Sequence, residues 1–146
     1  EISECLVGSE MCIRDRKNTN KPSLVFCHHT PVKPGMGYMD EPFGNGDRFI
    51  EILSQRPDVR LCTGHLHRPV ATLAKNKVVV VTAPSVSLQM LLDLTPKGGD
   101  EFVFETPGYA VHTFLDDGWV THFGQFPFPS DFSGPYPFVN TINPDA

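Results

Sequence analysis

The sequence predicts a mixed α/β domain, and three observations predict it. A strand-like apolar run, an amphipathic helix and a second apolar run follow one another between Ser23 and Thr63. Two further pairs of apolar segments come next, each pair split by a short polar turn. Histidine-bearing motifs fall where two of these strands end, which is where α/β proteins gather their ligand-binding residues.

Taken in order, Ser23-Leu24-Val25-Phe26-Cys27 is a continuous apolar run, the pattern of a strand covered on both faces. It ends in His28-His29-Thr30-Pro31. From Pro31 to Gly46 the chain is rich in proline, glycine and methionine and shows no period, so it reads as a long loop of the kind that covers functional sites. Asp47–Gln55 carries Phe49, Ile50, Ile52 and Leu53 at helical spacing, with Asn45 as a cap, Asp47 in the first turn and Pro57 as the stop. Val59–Thr63 is a short strand that runs into Gly64-His65-Leu66-His67. Val70–Leu73 and Val78–Thr82 form a hairpin across Ala74-Lys75-Asn76-Lys77. Val86–Leu94 is apolar but fits either a strand or irregular structure. Tyr109–Leu115 and Trp119–Gly124, joined through Asp116-Asp117-Gly118, are the clearest hairpin. The segment 127–146 is a proline- and phenylalanine-rich tail that packs as extended chain over the core.

Length and composition narrow the function. A chain of 146 residues that is 40% hydrophobic and 20% charged suits one globular domain. The longest apolar runs, such as Val78–Val81, are far too short to cross a bilayer. A formal net charge of −5 excludes a general nucleic-acid-polymer binder, which needs a basic surface. The four cysteines, Cys5, Cys12, Cys27 and Cys62, show no C-x-x-C spacing, and the latter two read as buried reduced thiols within apolar runs.

The segment 1–16 stands apart. Leu6-Val7-Gly8-Ser9-Glu10-Met11-Cys12-Ile13-Arg14-Asp15 resembles a translated sequencing-library adapter of the transposon-end type, as in a chimeric metagenomic read, and is excluded from fold reasoning. The alternative is a short amphipathic leader. Without it the chain keeps 13 acidic and 10 basic residues, a net charge of −3. Compartment cannot be read from this segment, so a cytoplasmic location is the default expectation.

The candidate chemistry lies in His28, His65 and His67. In an extended backbone, positions i and i+2 project to the same side, so His65 and His67 would face one site, with Gly64 easing the turn that leads to them. His28 also follows a short apolar strand. Three imidazoles at neighbouring strand ends suit a divalent transition metal.

His28-His29-Thr30-Pro31, followed after a loop and a helix by Gly64-His65-Leu66-His67, resembles the C-terminal half of the calcineurin-like metallophosphoesterases. Within them the chain is similar to the class III cyclic-nucleotide phosphodiesterases and their glycerophosphodiesterase relatives. Pro84-Ser85 with Gln89, Pro107-Gly108-Tyr109 and the Asp117-Gly118 turn recur in that group's order. The resemblance implies a β-sandwich flanked by helices, a partial phosphoesterase domain over 17–126 ending in a hairpin, and two divalent or trivalent metals such as Fe, Mn or Zn. His28 and His65 would bind one metal and His67 the other. His29 would contact nearby backbone or substrate, and Arg68 could touch a substrate phosphate. The substrate would be a small phosphodiester or phosphomonoester, hydrolysed by metal-activated water.

The group's upstream Asp-x-His, Gly-Asp and Gly-Asn-His-Asp/Glu motifs have no counterpart before Ser23. Gly44-Asn45-Gly46-Asp47 imitates the last of these but lacks the histidine and follows His28, so it reads as a helix start. The expectation is therefore a fragment that lacks the N-terminal half of its own domain and is inactive or nearly so alone. Two other readings remain: a phosphoesterase-like binding module without catalysis, and an unrelated three-histidine metal protein. Lys33, Met36, Tyr38 and Met39 are candidate pocket residues on the loop. His112 and His122 read as ordinary strand histidines, Trp119 as packing, and Asp93, Asp100 and Glu101 as solvated charges.

Overall fold

A computed structural model of the protein describes residues 21–41, 43–56, 58–126 and 133–137. The segment 1–16 and most of the tail 127–146 lie outside the described residues. Two parallel pairings organise the fold. Strand β1 (Ser23–Cys27) pairs with β2 (Val59–Thr63), and β2 pairs with β4 (Val78–Thr82), so Val25, Leu61 and Val80 stand in one row. Strand β3 (Val70–Ala74) closes the sheet antiparallel to β4, for the order β1-β2-β4-β3.

Between β1 and β2 runs the one α-helix among the described residues, α1 (Gly46–Leu53). Its Ile50 and Leu53 are buried against Val25, Val59, Leu61, Ala74, Val78 and Val80, which form one face of the sheet. That contact follows from the helical spacing of apolar residues expected around Asp47–Gln55. The cap differs from the expectation. Asn45 is in the left-handed region with φ 65° and makes no side-chain cap bond; its carbonyl instead accepts the Phe49 N–H. Asn45 is the N-cap residue by position, as expected, but what it supplies there is the bend, a conformation asparagine tolerates better than most residues.

Among the described residues, the continuous apolar run of β1 is not covered on both faces. Val25 is buried, but the neighbouring Phe26 is 70% exposed on an edge strand. The opposite face of the sheet is covered nearer β2 by a hairpin of β7 (Gly108–Leu115) and β8 (Gly118–Gln125), whose register and two-residue turn match the Asp116-Asp117-Gly118 signal. Trp119 docks it by donating Nε1–H to the Asp58 carbonyl at 2.8 Å. Arg60 donates to Thr121 Oγ1 at 2.5 Å and to the Trp119 carbonyl at 2.8 Å. Thr121 Oγ1 lies 2.8 Å from His112 Nδ1, and His112 Nε2 lies 3.4 Å from Cys62 Sγ. His112 is thus a docking residue between two layers, which its alternating strand position did not reveal.

That seam has a pH consequence. Burial, and then the Arg60 charge, lower the His112 pKa from its ordinary 6.5. The unfolded chain therefore binds the proton more readily than the folded one, and stability falls as the pH drops below about 6.5. Urea midpoints at about pH 5 should lie below those at about pH 7.5, and His112→Leu should flatten the difference. An unchanged pH slope in that variant would exclude His112 as a source. The Cys62 thiol is pushed up to about 11 by burial, so it stays protonated and inert.

A second, smaller sheet contains β5 (Gln89–Met90), β6 (Glu101–Phe104) and β9 (Ser133–Pro137), antiparallel in that order. Most of the ambiguous Val86–Leu94 stretch is irregular, and Gln89 ties it down by bonding both the N–H and the carbonyl of Ser85. Met90 joins Met36 and Leu66 in a separate buried cluster, packed by Met39, Val70 and Phe102.

Candidate metal centre

Parallel pairing of β1 with β2 sets the site. Cys27 stands opposite Thr63, so the residues that follow each strand emerge at the same end of the sheet. The pairing extends one step further, as the Gly64 N–H donates to the His28 carbonyl at 3.0 Å. His28, His29 and His65 consequently meet. One ligand nitrogen from each lies within 4.8 Å of the others. Ring centroids are 4.8 Å apart for His28 and His29, 5.3 Å for His28 and His65, and 4.2 Å for His29 and His65.

The backbone at the second motif is not the extended segment that the alternation argument assumed. His65 and His67 both adopt positive φ, 63° and 49°. Such a conformation costs a non-glycine residue about 1–3 kcal/mol and persists only where the surroundings enforce it. Gly64 is not among the positive-φ residues, so the strain falls on the histidines and not on the glycine expected to absorb it. Nor does close approach require a glycine here, since a Cβ at Gly64 would make only ordinary contact, 3.7 Å from His28 Nδ1.

Two anchors enforce the turn. Leu66, between the strained histidines, is fully buried with Met36 and Met90, and its N–H donates to the Gly64 carbonyl at 2.7 Å. Arg68, just after His67, forms a bidentate pair with Glu105, Nη1 to Oε2 at 2.6 Å and Nη2 to Oε1 at 2.9 Å. Its Nε–H donates to the Met90 carbonyl. The guanidinium sequence reasoning offered to a substrate phosphate is therefore engaged with a carboxylate and a carbonyl of its own chain. Glu105, 37 residues away, carried no signal that could have found it.

His28, His65 and His67 were the sequence candidates, and His29 the substrate or backbone candidate. The three-residue cluster among the described residues contains His28, His29 and His65; His67 stands outside it. The candidate pocket residues also divide. Met36 is buried with Leu66 and Met90, whereas Lys33 and Tyr38 are exposed. Asp40 Oδ1 accepts the N–H groups of Gly35 and Met36 at 2.9 and 2.8 Å, fastening the loop. Gly99, at φ 89°, passes so close that a Cβ would collide with the Met36 carbonyl at 2.3 Å. The loop is thus packed into the cluster around Leu66.

Electrostatics favour a neutral His65. The His65 pKa is lowered by burial first, then by His29, His28 and His67, against a smaller opposing pull from Glu41. Imidazole binds metal only when deprotonated, and three such nitrogens match a borderline transition metal rather than magnesium or calcium.

No family model matches the chain. It is 39% identical over 129 residues to a probable glycerophosphodiester phosphodiesterase of Arcobacter nitrofigilis, a match covering 85% of this chain and 45% of that protein. It is 31% identical over 106 residues to a probable cyclic nucleotide phosphodiesterase of Rhodopseudomonas palustris, covering 70% of this chain and 38% of that one. The chain thus spans less than half the length of these curated relatives.

Proposed function

We propose that the chain is a calcineurin-like metallophosphoesterase, akin to the two phosphodiesterases it resembles, and carries the histidine part of a metal centre that hydrolyses a small phosphodiester. The observation that carries the reading is the convergence of His28, His29 and His65 where β1 and β2 end together. His28 and His65 hold one metal in this reading, and His67 contributes to a second. The other ligands of such a centre would come from outside the described residues. A glycerophosphodiester or a cyclic nucleotide is the substrate class, after the relatives' names. The acidic net charge fits a small substrate better than a nucleic-acid polymer.

A bound metal would act as a Lewis acid on a phosphoryl oxygen and lower the pKa of water. The chain's own residues prepare for that chemistry. His65 is kept neutral by burial and by its histidine neighbours, so its lone pair is available near neutral pH. Leu66 and Arg68 fix the direction of the strained turn, so the backbone that carries His65 is set before any metal binds. The parallel register keeps the two histidine motifs together.

The test uses the gene extended upstream to a length comparable with the relatives. Hydrolysis of a chromogenic phosphodiester should depend on added Mn²⁺ or Zn²⁺ and fall at least about 100-fold in His65→Ala, while the 146-residue chain stays near background. Robust hydrolysis indifferent to His65→Ala or to chelation would overturn the reading.

A further inference from the structure

We infer that Glu105 is a positioning residue for the metal centre: through Arg68 it holds the downstream side of the turn that carries His67. The inference rests on the function proposed above, in which His67 serves a second metal, and it gives the smaller sheet a part in that centre.

The two strained histidines are not held alike. His65 lies between Gly64, whose N–H is bonded to the His28 carbonyl, and Leu66, which is fully buried. His67, at φ 49°, lies between Leu66 and Arg68. A residue with a side chain keeps such a conformation only where its surroundings impose it. For His65 both neighbours are fastened within the larger sheet and the Leu66 cluster. For His67 the downstream fastening is the Arg68 side chain.

That side chain reaches the smaller sheet. Its Nε–H donates to the Met90 carbonyl on β5, and its two Nη groups form the fork on Glu105, the residue after β6, at 2.6 and 2.9 Å. Strands β5 and β6 are themselves paired, with Met90 opposite Phe102, and the Leu91 N–H donates to the Glu101 carbonyl at 2.9 Å. One ladder thus carries both acceptors. A planar guanidinium gripped on two edges has its direction fixed as well as its position. Without Glu105 the Met90 carbonyl alone would remain, and a single bond lets the guanidinium turn about it. The His67 turn would then loosen on its downstream side, while His28 and His65 kept their hold.

The test uses the upstream-extended protein and Co²⁺, followed by calorimetry and by the visible absorption of the bound ion. The unmutated protein should take up two Co²⁺. Arg68→Met with Glu105→Leu removes the fork without leaving an orphaned charge. In that double variant one Co²⁺ should bind at least about tenfold more weakly and the other within about twofold. Glu105→Gln, which still accepts one bond from the guanidinium, should fall between the two proteins. Ile50→Val, in the core between α1 and the larger sheet, lowers stability away from the turn and should leave both affinities unchanged. Urea midpoints of all variants separate positioning from stability. Parental binding of both ions in the double variant, equal weakening of both, a like loss in Ile50→Val, or a single Co²⁺ in the unmutated protein would each overturn the assignment. Should the double variant not fold, Glu105→Gln decides alone: selective weakening of one ion supports the assignment, and parental binding of both overturns it. Hydrolysis that requires His65, with both ions bound normally in the double variant, would leave the phosphodiesterase reading standing and remove this one. Hydrolysis indifferent to His65→Ala would remove both.

Discussion

Leu66→Ala is expected to lower the unfolding free energy by about 2–5 kcal/mol, and to weaken Co²⁺ binding although every histidine remains. The side chain has no exposed surface and fills the space between Met36 and Met90. Its removal leaves a cavity where the loop, the histidine turn and β5 meet. The turn carries two residues at positive φ, at 63° and 49°, that would relax if the anchor between them were lost. Relaxation would swing His65 away from His28 and His29. Urea denaturation measures the first effect and cobalt titration the second. A folded Leu66→Ala chain with unchanged cobalt affinity would show that the turn holds its shape without this anchor.

Glu105→Ala is expected to cost about 1–3 kcal/mol. Arg68 is 15% exposed in its side chain and Glu105 37%, so the pair is partly shielded, and the estimate lies below that for a fully buried ion pair. Deleting the carboxylate leaves a largely buried guanidinium with the Met90 carbonyl as its acceptor. Replacing both charges, as Arg68→Met with Glu105→Leu, should recover most of the loss because no orphaned charge remains. A double-mutant cycle in urea gives the coupling directly. Coupling below about 0.5 kcal/mol would mean that the bidentate geometry contributes little.

These effects show where sequence reading reached and where it stopped. The apolar runs of β1, β2 and β4 and the polar turns of both hairpins were legible because strand formation and turn chemistry are local. So was the placing of histidines after two strands. Asn45 stands at the cap position its type suggests, but that type suits a side-chain bond and a left-handed bend equally well, and the structure uses the bend. The apolar run of β1 suggested cover on two faces, yet the described residues leave Phe26 open.

By itself, the sequence determined the α/β order, the strand ends that carry His28 and His65, and the resemblance to phosphoesterases that the curated relatives support. Tertiary structure alone decided that His29 joins the cluster, that His65 and His67 bear the strain, and that Arg68 is engaged by Glu105. The physical reason is range. A period or a turn is encoded by neighbours in the chain. The partner of a guanidinium and the direction of an imidazole are settled by groups brought close only once β1, β2 and the smaller sheet have packed around Leu66.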